Sequence, residues 1–401
     1  MSAAQWANNE EIKIFREYLR IKSVHPDVDY TGCVEFIKRQ AASLDLPVDV
    51  VYPVNDANPV VIVKWLGTQP ELPSIILNSH MDVVPVFPEH WTHDPFSADL
   101  DDEGRIYARG TQDTKGIGTQ YLGAIRALKA QGYQPKRSIY VTFVPDEELG
   151  GILGMQGFVK GQYFKALNVG FCLDEGCSNI DDSYFIFYAE RTAWQIRFKV
   201  SGTTGHGSQL LPNTAAEKLH YVVTKLLEYR TSQMERIKDL PNKFSGEVTS
   251  VNLTILSGGV QNNVLPPLLE AVFDIRIAID VDLVAFEQQI RDWCAEAGSG
   301  IEIEFERKDE FSPATKLDAS NPFWTAFQNS LNKQNLKCTP IVCPGCTDSR
   351  FLRPLGVSAL GFSPMKNMPI LPHAHDEYTR ADIYLHGIEV YTKIIPAIAS
   401  V

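Results

Sequence analysis

The chain has 401 residues, 44% of them hydrophobic and 21% charged, with a formal net charge of −12. That balance excludes global disorder and a fibrous fold, and an acidic chain without a Lys/Arg run is poorly suited to nucleic acid or an anionic membrane. No apolar run approaches the ~18 residues of a membrane span, and the opening segment lacks the basic and apolar regions of a signal peptide, so the chain reads as cytoplasmic. In chain order, Glu10 to Ile21 has the spacing of an amphipathic helix, 59–65 and 74–78 are short β-rich runs, and Thr114 to Ala130 reads as a helix. Strands follow at Ser138–Val144 and Val169–Leu173. Near-continuous apolar strands separated by helices predict an α/β sheet covered on both faces. After about Tyr188 the pattern becomes strand Trp194–Val200, helix Ala215–Glu228, strands Val251–Leu256 and Leu269–Ile279, helix Leu283–Ala297 and strand Ile301–Phe305. That order, β-α-β-β-α-β, is ferredoxin-like α+β. The mixture of helix and strand returns past Phe311 and closes on a helix from about Ala381 to Ala397. The expected organisation is a discontinuous α/β domain, 1–187 with 311–401, and a small inserted domain, 188–310.

The seven cysteines are odd in number and scattered, which fits free thiols. Cys343-Pro344-Gly345-Cys346 lacks the second C-x-x-C of a zinc site and reads as a loop with two free thiols. Asn252-Leu253-Thr254 matches a glycosylation sequon but lies in an alternating strand pattern, and is read as chance.

What the core does not explain is a set of acidic and histidine residues in loops, most of them just after strands. These are His80-Met81-Asp82, Asp113, Asp146-Glu147-Glu148, Asp174-Glu175, and His373 with His375. Taken singly, each has a plain structural explanation: an N-cap, a solvated turn, or acidic residues at a helix start. Taken together they lie where ligands gather in open α/β sheets, beyond the strand C-termini. Two histidines and three carboxylates exceed the needs of one catalytic zinc, but suit two metals sharing a bridging carboxylate.

Three stretches are more specific: Ser79-His80-Met81-Asp82-Val83-Val84-Pro85, Arg109-Gly110-Thr111-Gln112-Asp113-Thr114-Lys115-Gly116, and Pro145-Asp146-Glu147-Glu148-Leu149-Gly150-Gly151. With the closing His373-Ala374-His375-Asp376-Glu377, they resemble the cocatalytic zinc exopeptidase family that includes carboxypeptidase G and acetylornithine deacetylase. The likeness runs along nearly the whole chain. It implies a zinc-exopeptidase-like catalytic domain with an inserted lid and dimerisation domain, two Zn²⁺ per subunit, and a homodimer. The activity it implies is hydrolysis of N-acyl-L-amino acids to a carboxylate, mostly acetate, and a free amino acid. A dipeptidase or carboxypeptidase on the same metal pair is the alternative.

Residue by residue, the resemblance implies that His80 and Glu175 hold one metal, Glu148 and His373 the other, and that Asp113 bridges them. Asp82 would orient the His80 imidazole, Glu147 would be the general base, and the peptide bond after Asp113 would be cis. His206, in Gly202-Thr203-Thr204-Gly205-His206-Gly207-Ser208, would stabilise the oxyanion, acting on the partner subunit's site. Asn263 and Arg276 would hold the substrate amide and carboxylate, although a structural salt bridge competes as the explanation of Arg276. Thr347 and Arg350 are further candidates for the carboxylate. His375 matches no ligand role.

Overall fold

A computed structural model describes residues 3–240 and 244–401. The chain divides into two compact units: Met1–Tyr188 with Thr315–Pro340 and Thr347–Val401, and Ala189–Ala314 with Ile341–Cys346.

The first unit is built on an eight-stranded mixed sheet. Its strand order is Val48–Val51, Val60–Trp65, Ile139–Val144, Ser74–His80, Val169–Asp174, Ser358–Gly361, Tyr184–Glu190, Cys338–Cys343. The Ser74–His80 strand is buried along its whole length and pairs in parallel with Ile139–Val144 and Val169–Asp174. A strand covered on both faces reads as an unbroken apolar run, and Ile75, Ile76 and Leu77 supply it. Alternate residues feed two cores: Val61, Val63, Ile75, Leu77, Phe171 and Leu173 on one face, Val60, Ile62, Ile76 and Cys172 on the other. The first face is covered by Glu10–Leu19, Lys115–Ala130 and Ala381–Ala399, the second by Met155–Lys160 and Gln162–Ala166. Gly118 lets Lys115–Ala130 lie close on the sheet, since a Cβ there would stand 2.5 Å from the Phe143 ring.

The second unit is a four-stranded antiparallel sheet, ordered Ser250–Gly258, Leu268–Ile277, Thr192–Ser201, Ile301–Lys308. Helices Ala215–Asp239 and Leu283–Ala297 bury Leu219, Val222, Leu226, Phe286 and Ile290 against Trp194, Ile196, Phe198 and Val200. The longer helix starts on a capping box, with Thr214 and Glu217 satisfying each other's backbone N–H. It runs eleven residues past the Glu228 at which the apolar spacing ends. Its polar extension is tied down instead by Arg236 on Asp280 at 2.6 Å and by the Thr249 N–H on Gln233 at 3.2 Å.

The second unit takes in more chain than the expected 188–310: it extends to Ala314 and recruits Ile341–Cys346 from the segment assigned to the larger domain. The cause is local packing. A Cβ on Gly246 would stand 2.0 Å from the Val342 carbonyl oxygen, so the two backbones lie in contact. The buried Arg191 guanidinium donates to the carbonyls of Pro344 and Val248 and to Ser250 Oγ. Among the described residues no helix is long and apolar enough to cross a membrane.

Arg191→Met is expected to leave those carbonyls without donors inside the protein, at a cost of about 1–3 kcal/mol for each buried group stranded. A lower unfolding transition in calorimetry checks this; an unchanged transition would mean the guanidinium carries no such load.

Candidate active site

The four central strands end side by side, with His80 opposite Val144 and Gly361 opposite Asp174. Parallel pairing therefore delivers His80, the Asp146–Leu149 turn and Glu175 to one edge of the sheet. Asp113 precedes the helix that begins at Lys115, and its peptide bond to Thr114 is cis. His373 comes from the loop before the Tyr378–Arg380 strand and adopts a left-handed backbone, φ 64°.

These residues form two donor groups that share a member. One ligand atom from each of His80, Asp113 and Glu175 lies within 4.8 Å of the others, and the same holds for Asp113, Glu148 and His373. His80 Nε2 is 3.0 Å from Asp113 Oδ1 and 3.5 Å from Glu175 Oε2. His373 Nε2 is 3.0 Å from Glu148 Oε2 and 3.3 Å from Asp113 Oδ2. Burial, reinforced by Asp113, pushes Glu148 up to about 7, and burial pushes Glu175 up to about 8. Hydrogen bonds to Asp113 and then Glu148 push His373 up to about 10. Against its own burial, Asp113 is held low by bonds from His373 and His80. Glu148 Oε1 is buried with no hydrogen-bond partner. A cluster of carboxylates short of positive charge, one of them with a buried oxygen that has no partner, fits divalent cations. Nitrogen and oxygen donors in this proportion suit zinc.

Glu147 stands apart from both groups. Burial, and next the Glu175 carboxylate, push its pKa well up. The turn that carries it starts on Asp146 in the left-handed region, φ 67°, which is uncommon for a residue with a side chain. Asp82 is fully buried, and its carboxylate receives the backbone N–H of Glu147 at 3.2 Å and of Glu148 at 3.1 Å. The orientation of His80 expected of that carboxylate falls to the Asp82 backbone instead. His80 Nδ1 bonds the Asp82 backbone carbonyl at 2.8 Å, whereas the nearest carboxylate oxygen is 3.6 Å away. The carboxylate is engaged by the turn.

Arg350, expected with Thr347 at the substrate carboxylate, is already engaged within the chain. Arg350 donates to Gly150 O at 2.7 Å and Thr347 O at 3.2 Å, and its Nη1 is 3.9 Å from Glu147 Oε1. It closes the far side of the Glu147 turn. In the second unit, His206 and Val264 pair in a two-stranded ribbon, and Gly207 N–H bonds the Asn263 carbonyl at 2.7 Å. Arg276 lies bidentate on Asp274 at 2.8 and 3.1 Å, with Nη1 3.7 Å from Cys346 Sγ. All seven cysteines are free. His375 is outside both donor groups, its ring 5.2 Å from that of His90.

Two residues in this site stand in the quoted motifs without a role in the sequence reading. Glu377 is fully buried and accepts from Arg109 Nη1, Thr111 Oγ1 and the N–H groups of Gly110, Gln112 and Asp113. Arg109 also donates to the carbonyls of His373 and Ala374. This pair fastens the loop of Asp113 to the loop of His373. Burial raises the Glu377 pKa and Arg109 opposes it; because every partner is a donor, the ionised form is the one accommodated. Asp174 does similar work for Glu175, accepting from Asn78, Ser349 and the Glu175 N–H. The available signal was a lone Arg and a lone Glu flanking the two ligand loops, which spacing cannot pair.

Residues 76–397 match the model of peptidase family M20/M25/M40. The chain is 48% identical to aminoacylase-1 of Homo sapiens over 390 residues, covering 97% of this chain and 95% of that one. It is 40% identical to aminoacylase-1 of Dictyostelium discoideum, covering 97% of each. Among solved structures it resembles an M20 metallo-carboxypeptidase of Sulfolobus solfataricus, with TM-score 0.77, 18% identity and coverage of 98% and 100%. It also resembles a dinuclear metal-binding M20 peptidase of Bacillus subtilis, with TM-score 0.70, 14% identity and coverage of 97% and 98%.

Glu377→Gln turns an amide NH₂ toward a ring of donors and loosens both loops. Metal affinity, measured by chelator competition, is expected to fall about 10–100-fold, the scale for residues that orient ligands. Unchanged affinity would show that the loops hold without the clamp.

Proposed function

The chain belongs to the M20/M25/M40 peptidase family, and from that premise we propose that it hydrolyses N-acyl-L-amino acids to a carboxylate, mostly acetate, and the free L-amino acid. One observation carries the reading: Glu147 is a largely covered carboxylate outside both donor groups that burial and the Glu175 carboxylate push up in pKa, in a chain nearly half identical to an aminoacylase along its length. His80, Asp113 and Glu175 would hold one Zn²⁺, and Asp113, Glu148 and His373 the second. When bound, such a pair supplies Lewis acidity toward an amide carbonyl and lowers the pKa of water.

The chain's own residues do the rest. Glu147 takes the proton of the attacking water on a carboxylate oxygen and returns it to the leaving amine nitrogen. A base raised toward neutral pH performs both transfers, and burial with Glu175 nearby pushes Glu147 that way. Arg350, 3.9 Å from Glu147 Oε1, aligns that carboxylate. Asn263 and Arg276 hold the amide and carboxylate of the substrate, and His206 donates to the developing oxyanion.

We assign a homodimer formed through the second units, with His206 serving the partner's site. The two edges of the second sheet support it. Ile301–Lys308 exposes Glu302, Glu304, Glu306 and Lys308, charges that block edge pairing. At the opposite edge Ile255 is 47% and Leu256 64% exposed, an apolar strand without a neighbour on that side among the described residues. The compartment consistent with seven free thiols is the cytoplasm.

Acetate release from N-acetyl-methionine, with a dipeptide as control, tests the activity; dipeptide cleavage without acetate release would overturn it. Glu147→Gln is expected to keep its metal and lose about 10²–10⁴-fold in kcat, the scale for a general base. Wild-type turnover in that variant would remove Glu147 from the role. Mixing Glu147→Ala with His206→Ala subunits, each inactive alone, restores activity if His206 works across the dimer. If it works within its own chain, every site carries a lesion and mixing restores nothing.

A further inference from the structure

We propose that His25 is a positioning residue for Glu147, acting through the Asp82 carboxylate. It rests on the reading of Glu147 as the base. The chain of contacts is short. His25 Nε2 lies 2.8 Å from Asp82 Oδ2, and the two Asp82 oxygens receive the N–H groups of Glu147 and Glu148. Those amides open a short 3₁₀ turn, where a helical backbone has no acceptor of its own to offer. Asp82 is therefore the acceptor that aims the turn.

An aspartate carboxylate rotates in a broad, two-fold well about its last bond, so its plane must be fixed from elsewhere. His25 fixes it. The imidazole is nearly buried, with 9% of its side chain exposed. Its backbone is held: His25 N–H bonds Val83 O at 3.1 Å, Val83 N–H bonds Ser23 O at 2.9 Å, and Ser23 Oγ donates to Met81 O at 2.6 Å. Segment 23–25 thus runs beside 81–83, through the Val24 and Val83 bridge, and carries a rigid ring to the outer oxygen of Asp82. Through the same aspartate the support reaches His80, whose Nδ1 bonds the Asp82 carbonyl. His25 itself is in neither donor group, so its removal acts on where Glu147 points.

The test compares His25→Leu, which removes the donor, with His25→Gln, whose amide NH₂ restores it at similar reach. His25→Leu, assayed at saturating metal, is expected to lower kcat on N-acetyl-methionine about 10–100-fold, as a misplacement near 1 Å does, with KM unchanged. His25→Gln recovers most of the rate. Hydrogen exchange of the metal-free protein gives a readout apart from activity: the amides of Glu147 and Glu148 exchange faster in His25→Leu and not in His25→Gln. In an Asp82→Asn background His25→Leu adds no further loss. If His25→Leu does not fold, His25→Asn, too short to reach Asp82, replaces it with the same expectations. Full kcat in the donorless variant, equal impairment in His25→Gln, or unchanged exchange at 147–148 each overturns the proposal. Wild-type protein that releases no acetate overturns the hydrolase reading instead, and the exchange experiment still decides what His25 holds.

Discussion

Carboxylates crowded at the ends of parallel strands repel one another, by ~4 kcal/mol for a pair 4 Å apart at an effective dielectric near 20. The first unit is arranged around that repulsion. It treats its acidic residues in two ways. Asp82, Asp174 and Glu377 are buried and supplied with donors from fixed backbone and side-chain groups. Asp113, Glu148 and Glu175 face imidazoles, and Glu148 keeps an oxygen with no partner. The satisfied carboxylates build the site, and the undersatisfied ones are left to bind a cation. Removing a donor from the first kind strands a buried charge; a cation supplies what the second kind lacks.

Adjacent Glu147 and Glu148 do different work because of the backbone between Asp146 and Gly150. Both ends of that turn are left-handed, at φ 67° and 106°. Asp146 is secured by its carbonyl, which takes the Gly151 N–H at 2.6 Å, and by its carboxylate, which takes the Leu153 N–H at 2.8 Å. With Asp82 holding the two amides and Arg350 the carbonyl of Gly150, the turn is gripped from both sides. One glutamate can then face His373 while its neighbour stays outside both donor groups. A group that moves a proton needs such placement as well as the right chemistry.

In the second unit the asymmetry lies in the sheet edges. Salt bridges across Ile301–Lys308, such as Lys199 with Glu304 and Arg197 with Glu306, leave that strand charged and self-sufficient. The Ser250–Gly258 strand turns from buried to exposed halfway along, where its register shifts between Leu253 and Ile255. An apolar edge that is exposed in one chain is a place for a second chain. The same unit recruits 341–346, so the loop carrying Cys346 arrives beside Arg276 from a distant part of the sequence.

Periodicity and residue type alone determined the α/β character of the first unit, the strand and helix order of the second, and the loop residues suited to metals. Those features are local. A short apolar run such as Ile75-Ile76-Leu77, rich in β-branched residues, reads as a buried strand, and a histidine after a strand stands out against it. Family motifs added the grouping of the five donors around Asp113. Long-range pairing decided the rest. That Arg109 meets Glu377 across 268 positions, that Asp82 bonds the turn 65 positions away with its carboxylate while lending His80 only a carbonyl, and that His25 stands behind it are facts of packing. The same holds for Arg350 turning to Gly150 and for 341–346 leaving its expected domain. A buried hydrogen bond is specified by two partners and the space between them, and one sequence states the partners without stating the space.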